Sequence, residues 1–327
     1  MGERKMDVTR RRSVGLLGSF PAALLSRRSE AQPRQLVLSS YFLGPTLVGK
    51  GVQLFADKAT EGSAGTLEIS LETVAPTMPF QMMAKASALA HYYATEFADA
   101  ERVLGLSALP MLVATFDEAE ALLRIARPYY ETVLARHGQV LLATEPWRPA
   151  TLWSTFPLRS AADFKDARFT HSTYVGSRAG WERTFVRIGA RYVTYFDAEI
   201  MLASGYGGNL KFAQEFSHFT EIFFAAQLNF LTVSRAVFES LTQAQRQVLI
   251  AAGRDTELAL WTYTRELLAR DHQEIAARGV RVTAPPPADL LATLRMSAEP
   301  DVESWARAMG ADGTAILADY RRAIGRT

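Results

Sequence analysis

The longest regular pattern in the chain is a run of helical periodicity from Leu241 to Gly279. Its apolar residues recur at helical spacing: Val248, Leu249, Ala252, Leu260, Trp261, Leu267, Leu268 and Ile275. Thr242 is a favourable N-cap with Gln245 three residues later, and Gly279 follows a basic last turn. The pattern predicts one long helix that extends beyond a small domain and bridges two. A helical hairpin broken near Gly253 is the alternative.

Strand-like and helical segments alternate through the rest of the chain, which is typical of α/β proteins. The strand patterns cover 35–40, 66–72, 140–143, 168–170, 192–196 and 227–233. The helical patterns cover 48–59, 80–89, 116–135, 178–188 and 197–202. We therefore predict two lobes, each an open β-sheet flanked by helices, with the long helix bridging them. Lobe I is predicted over 32–155 plus 234–255, and lobe II over 156–233 plus 256–327.

The first 31 residues differ from the rest and have the pattern of an export signal. Basic residues, including Arg10-Arg11-Arg12, precede a modestly apolar segment at 13–25. That segment is too short to cross a bilayer, and Ser29-Glu30-Ala31 has the small residues that signal peptidase reads. The twin arginine favours the twin-arginine export route over the general secretory route. A basic arm that binds nucleic acid is the alternative.

Composition narrows the classes of function. Without residues 1–31 the chain holds slightly more acidic than basic residues, so a nucleic-acid partner loses its electrostatic support. The chain has no cysteine, which excludes disulfides and thiolate metal sites and suits an oxidising compartment. No His, Asp and Glu spacing indicates zinc, and no nucleophile motif is present. We therefore predict a binding protein without cofactors or metal rather than an enzyme.

Several short motifs occur in a characteristic order. They are Ala108–Leu112 followed by Phe116–Ala119, then Phe156–Asp166, Ile188–Ala190, Glu199–Gly205, and Ser234–Leu241 with Gln245. Together they resemble the periplasmic solute-binding subunit of TRAP (tripartite ATP-independent periplasmic) transporters, the DctP type, over about residues 36–320. The resemblance implies a periplasmic, monomeric protein of the two-lobed periplasmic binding protein fold. It also implies a cleft that closes on a small organic acid and delivery of that acid to the TRAP-type membrane permease subunits.

The sequence departs from this family at the ligand site. Family members have an arginine that clamps the ligand carboxylate, and the matching position here is Thr170, which has no charge. A shifted register that places Arg168 in the pocket is the alternative. At two further positions where the family has polar residues, this chain has Gly208 and Phe212. A second family arginine does match, at Arg148. The resemblance therefore implies a site with one arginine rather than two.

The predicted ligand-binding residues combine this arginine with aromatic and polar side chains. They are Arg148, Trp147, Thr170, Tyr93, Glu96, Tyr174, Tyr206 and Phe212. An indole beside a guanidinium suits a monoanion with an apolar or aromatic body. The alternative for each group is ordinary: a surface arginine beside a packed tryptophan, and core tyrosines with a surface glutamate. A sensing module for a signalling receptor and a periplasmic α/β enzyme are the alternative functions.

Overall fold

The computed structural model describes residues 32–74, 88–171, 178–204 and 210–326. Its strands are β1 (Arg34–Ser40), β2 (Leu67–Thr73), β3 (Leu89–Tyr93), β4 (Gln139–Pro146), β5 (Ala150–Ser154), β6 (Arg168–His171), β7 (Arg191–Tyr192), β8 (Ile200–Ser204), β9 (His218–Thr220), β10 (Leu228–Ser234) and β11 (Arg281–Thr283). Its α-helices are α1 (Leu47–Gly62), α2 (Phe116–Arg136), α3 (Arg178–Arg187), α4 (Arg235–Ser240), α5 (Gln243–Ala277), α6 (Ala288–Met309) and α7 (Ala311–Ala323). Among the described residues, no helix combines the length and apolar character that a membrane span needs.

The strands form two mixed sheets. The first has the order β2-β1-β3-β10-β4, in which β10 is antiparallel to both of its neighbours. The second has the order β11-β9-β5-β8-β6-β7, in which β5 is antiparallel to both of its neighbours. Helices cover both sheets, because each sheet has buried apolar side chains that require a second layer. The predicted fold class is therefore confirmed.

The chain crosses between the sheets through two short segments. Residues 147–149 join β4 of the first sheet to β5 of the second, and residues 221–227 lead back from β9 to β10. Sheet membership thus changes before the predicted boundaries at 155 and 233. The turn at Phe156 and Pro157 marks the end of β5, which already pairs with β8 in the second sheet. The lobe boundaries themselves remain a prediction.

The long helix is continuous and contacts both sheets. Helix α5 runs for 35 residues, which corresponds to about 52 Å, and Thr242 and Gln245 form the predicted capping box. Leu249 packs in the core of the first sheet, whereas Ile275 packs in a core of the second. Gly253 does not break the helix. A glycine is required at this position because α5 passes so close to β4 that no side chain fits. The predicted bridging helix is confirmed.

Some local predictions differ from the structure. Residues 197–202, predicted as a helix, belong instead to a short turn and to β8. Ile200, Met201 and Leu202 are fully buried, and a short apolar run of this kind fits a central strand as well as a helix. The strand predicted at 192–196 is limited to Arg191–Tyr192. Most of the helix predicted at 80–89 lies outside the described residues, and Leu89 begins β3.

Gly253→Ala tests the close approach of α5 to the first sheet. A Cβ atom at position 253 would overlap the carbonyl oxygen of Leu142, so we expect a loss of about 1–3 kcal/mol in the free energy of unfolding. Gly62→Ala is the control, since a Cβ atom there would lie 3.4 Å from the Val248 side chain, an ordinary contact. Urea unfolding of both variants makes the measurement. Equal stabilities would show that α5 is not held this closely.

Candidate functional site

Aromatic side chains gather where the strands of the first sheet end. Strands β1, β3 and β4 run in the same direction, so Tyr41, Phe42, Tyr93 and Trp147 lie at one edge of the sheet. The rings of Phe42 and Tyr93 meet the Trp147 indole edge-on, with centroids 5.1 and 5.6 Å away. We call these four residues the aromatic cluster. In open α/β sheets ligands bind outside the carboxyl ends of the strands, and the aromatic cluster occupies that position.

The indole of Trp147 is held in place by a hydrogen bond. Its Nε1 donates to Oδ1 of Asn229 at 2.9 Å, and Asn229 is fully buried on β10. The backbone N–H of Trp147 also donates to the carbonyl oxygen of Gln227 at 2.9 Å. Asn229 lies on β10, and Gln227 lies in the return segment, residues 221–227, that leads to β10. The two hydrogen bonds therefore orient the crossing segment, residues 147–149. The half-buried indole therefore presents a fixed face for stacking.

Arg148 forms an ion pair with the long helix. Its Nε lies 3.3 Å from Oδ2 of Asp271 on α5, and the two side chains are 13% and 3% exposed. Desolvation raises the pKa of Asp271 to about 6, against the opposing effect of the Arg148 charge. The predicted ligand anchor is thus present at the crossing, beside Trp147, and a carboxylate of the protein itself already faces it.

Glu96 is a second carboxyl group with a raised pKa at this edge. It lies in a 3-10 turn, Ala94–Phe97, that directly follows β3 and Tyr93. Burial raises the pKa of Glu96 to about 7, and a hydrogen bond with the Tyr41 side chain opposes the shift. Its Oε2 atom is buried and makes no hydrogen bond. Glu96 therefore changes charge near neutral pH, and its Oε2 atom leaves a hydrogen-bond acceptor unused.

A buried polar chain lies behind the aromatic cluster. Ser40 Oγ lies 2.8 Å from His91 Nδ1, and His91 Nε2 lies 3.2 Å from Glu145 Oε2. This order of groups is that of hydrolase triads, but all three residues are 1% exposed or less. The hydroxyl also accepts the N–H of Phe42 at 3.0 Å, which anchors the loop that carries Tyr41 and Phe42 of the aromatic cluster. A substrate has no access to this serine, so the hydrogen-bonded side chains of Ser40, His91 and Glu145 have a structural role.

Thr170 and Phe212, two further predicted site residues, belong to the second sheet and its core. Thr170 lies on β6 of the second sheet, buried at 3% exposure and paired with Met201. Phe212 is 2% exposed and packs edge-on against Trp153 in a core of the second sheet. The ligand contact of Phe212 remains a prediction. Tyr174 and Tyr206 lie outside the described residues.

The structure adds residues that the sequence reading did not include. Two of them, Tyr41 and Phe42, belong to the aromatic cluster, and a third, Asn229, holds the Trp147 indole. The fourth is Asp271, which faces Arg148. Asp271 could have been found, because it interrupts the apolar positions between Leu267 and Ile275 at intervals of four residues. No group of His, Asp and Glu side chains within the described residues is placed to hold a metal ion.

The structure is similar to solved solute-binding proteins of TRAP transporters. DctP6, a Bordetella pertussis extracytoplasmic solute receptor that binds pyroglutamic acid, is 22% identical with a TM-score of 0.77 over 88% of this chain and 99% of that chain. A marine metagenome TRAP solute-binding protein specific for pyroglutamate is 20% identical with a TM-score of 0.74, over 89% and 100% of the chains. A Ralstonia eutropha TRAP protein with bound (S)-2-acetolactate is 20% identical with a TM-score of 0.72, over 88% and 99%.

The similarity establishes the fold. No family model matches the sequence, and no curated protein matches it. The structural similarity nevertheless confirms the resemblance to the DctP type, which we inferred from short motifs. It does so in the architecture of nearly the whole chain beyond residue 31.

Glu96→Gln tests the raised pKa of this carboxyl group. Below its ordinary pKa of 4.5 Glu96 is protonated in both folded and unfolded chains, and its contribution to stability is fully present. As pH rises towards about 7 the unfolded chain ionises first, so stability is lost through this range. The amide cannot ionise, and we expect the variant to lose about 1 kcal/mol less than wild type between about pH 5 and about pH 8, after discounting for solvent screening.

Urea unfolding at several pH values measures this difference. Glu61→Gln, at an exposed position of α1, is the matched control and should follow wild type. An identical pH dependence in wild type and in the Glu96 variant would show that Glu96 titrates normally.

Proposed function

We propose that this chain is an extracytoplasmic solute-binding protein that captures a small organic acid and delivers it to a TRAP-type membrane permease. The observation that carries the proposal is Arg148 beside Trp147, on the segment that joins the two sheets of a fold shared with such proteins. The acid binds at the carboxyl-end edge of the first sheet and leaves unchanged. In this proposal residues 1–31 are the export signal, and the protein acts as a monomer in the periplasm.

The residues at the edge favour a compact monoanion. Arg148 supplies one guanidinium, and the aromatic cluster supplies a stacking surface beside it. Thr170, in the position of the family's clamping arginine, adds no second charge for a dicarboxylate. Pyroglutamic acid, which the Bordetella pertussis receptor binds, is a small ring with one carboxyl group and so belongs to the proposed class.

The polar groups favour a ligand that also carries a hydrogen-bond donor. Glu96 stands beside Tyr93, and its buried Oε2 atom makes no hydrogen bond. A buried acceptor without a partner is unfavourable until a donor reaches it. An amide or hydroxyl group on the acid would satisfy Glu96 while the carboxylate binds Arg148.

Binding without turnover fits the chemistry of the site. The hydroxyl, imidazole and carboxylate of Ser40, His91 and Glu145 are in hydrogen-bond order, but they are buried beneath α1 and inaccessible to a substrate. Gly51 of α1 packs directly against the Glu145 carboxylate. A periplasmic enzyme would need a nucleophile and base exposed in the cleft.

Calorimetric titration of Arg148→Ala tests the proposed anchor. The panel contains L-pyroglutamate, acetolactate and malonate, which represent the ligands of structural relatives, together with succinate. We expect the wild type to prefer the monoanions. Because removal of one partner of a close charge pair costs about 2–5 kcal/mol, the variant should bind the preferred acid at least about tenfold more weakly.

Arg168→Ala is the control for loss of a positive charge. Arg168 also forms an ion pair, with Glu199, but its side chain is 46% exposed on the second sheet. That variant should bind like wild type. Affinity that is indifferent to Arg148, or recovery of a chemically altered ligand, would contradict the proposed function.

A further inference from the structure

We propose that Asp271 is a built-in counter-ion of Arg148, which competes with the ligand carboxylate and makes ligand affinity depend on pH. The inference rests on the proposed function, since it assumes that an anion binds at Arg148. It deepens that function by assigning a residue of the long helix to the control of binding.

The geometry of the pair is that of a replaceable contact. Arg148 Nε and Asp271 Oδ2 are 3.3 Å apart, yet neither atom makes an aligned hydrogen bond. The strongest contacts between arginine and carboxylate are bidentate, with two parallel hydrogen bonds. A free ligand carboxylate can adopt that geometry, whereas Asp271 is held by the backbone of α5. The ligand therefore has a better contact to offer than the residue it replaces.

Because Asp271 is buried, its displacement from Arg148 by a ligand carboxylate depends on pH. Asp271 is 3% exposed in its side chain, so an ionised carboxylate that has lost Arg148 would be strongly disfavoured. The simplest relief is protonation of Asp271. Its pKa is already raised to about 6 by desolvation while Arg148 faces it. An anion beside Arg148 raises this pKa further, so the complex binds more protons than the free protein.

Other charged groups near Asp271 do not take over its role. On α5 itself, Arg270 and His272 favour the ionised form and Glu274 disfavours it. His272 lies 3.6 Å from Glu221 of the return segment, and Arg270 pairs with Glu274. Among the described residues, Arg148 is the charged group that faces Asp271 from outside the helix.

The sign of the pH dependence follows from this linkage. When binding takes up a proton, affinity increases as pH falls through the interval between the two pKa values of Asp271. With L-pyroglutamate as the probe, whose carboxyl group stays ionised throughout, we expect the Kd of wild type to decrease at least about fivefold from about pH 8 to about pH 6. The neutral amide of the same probe, which leaves the ion pair intact, should show no such change.

Asp271→Asn removes the competing charge. We expect the variant to bind L-pyroglutamate at about pH 8 at least about fivefold more tightly than wild type, with a Kd that hardly changes down to about pH 6. Glu274→Gln, one turn further along α5 with a side chain 47% exposed, is the matched control and should keep the wild-type pH dependence.

Proton uptake on binding gives a measurement that needs no variant. Calorimetry of wild type near neutral pH in buffers of different ionisation enthalpy should show close to one proton taken up per L-pyroglutamate bound. Binding without proton uptake, or an Asp271→Asn variant that retains the wild-type pH dependence, would overturn the counter-ion and leave the binding function standing. Absence of binding to every acid of the panel would overturn the binding function itself.

Discussion

The contact of helix α5 with strand β4 is the constraint on which the rest of the structure depends. Three positions fix the course of the helix along the strand. Gly253 allows α5 to touch the backbone of Leu142, Glu257 accepts from Thr144 N–H and Oγ1 at 2.7 and 2.9 Å, and Asp271 faces Arg148 just beyond the end of the strand. A helix anchored at its first half along β4 is directed past the first sheet and onto the second.

The candidate site takes its rigidity from the same arrangement. Trp147 and Arg148 lie on the segment that leaves β4, and both are tied to other elements, Trp147 to Asn229 of β10 and Arg148 to α5. The aromatic cluster is completed by side chains that follow the neighbouring parallel strands. Side chains placed by strand ends and a helix lose little freedom on binding, which suits capture of a small ligand.

Electrostatics at this edge depends on water exclusion more than on net charge. Two carboxyl groups, Glu96 and Asp271, have pKa values raised to about 7 and about 6 by desolvation. Both therefore change charge near neutral pH, whereas ordinary surface carboxyl groups remain ionised there. An anion that enters such a site meets a guanidinium whose charge is balanced by a group that can be protonated. The same burial that makes the ion pair costly to break thus makes it responsive to pH.

The sequence alone determined the features that depend on neighbours along the chain. The long helix and its capping box at Thr242 and Gln245 followed from local periodicity and caps, and the alternation of strands and helices indicated the α/β class. The motif order also pointed to the architecture that the structural relatives confirm. Trp147 and Arg148 stood out because they are adjacent in the chain.

Only the tertiary structure decided contacts between residues distant in the chain. Arg148 and Asp271 are 123 positions apart by their numbers, and no periodicity shows that the long helix returns a carboxylate to the crossing segment. The same holds for the packing of Phe212 against Trp153, and for β8, whose apolar run fitted a helix until pairing with β5 and β6 settled it. Strand pairing and burial are properties of the assembled sheets, so a local pattern cannot specify them.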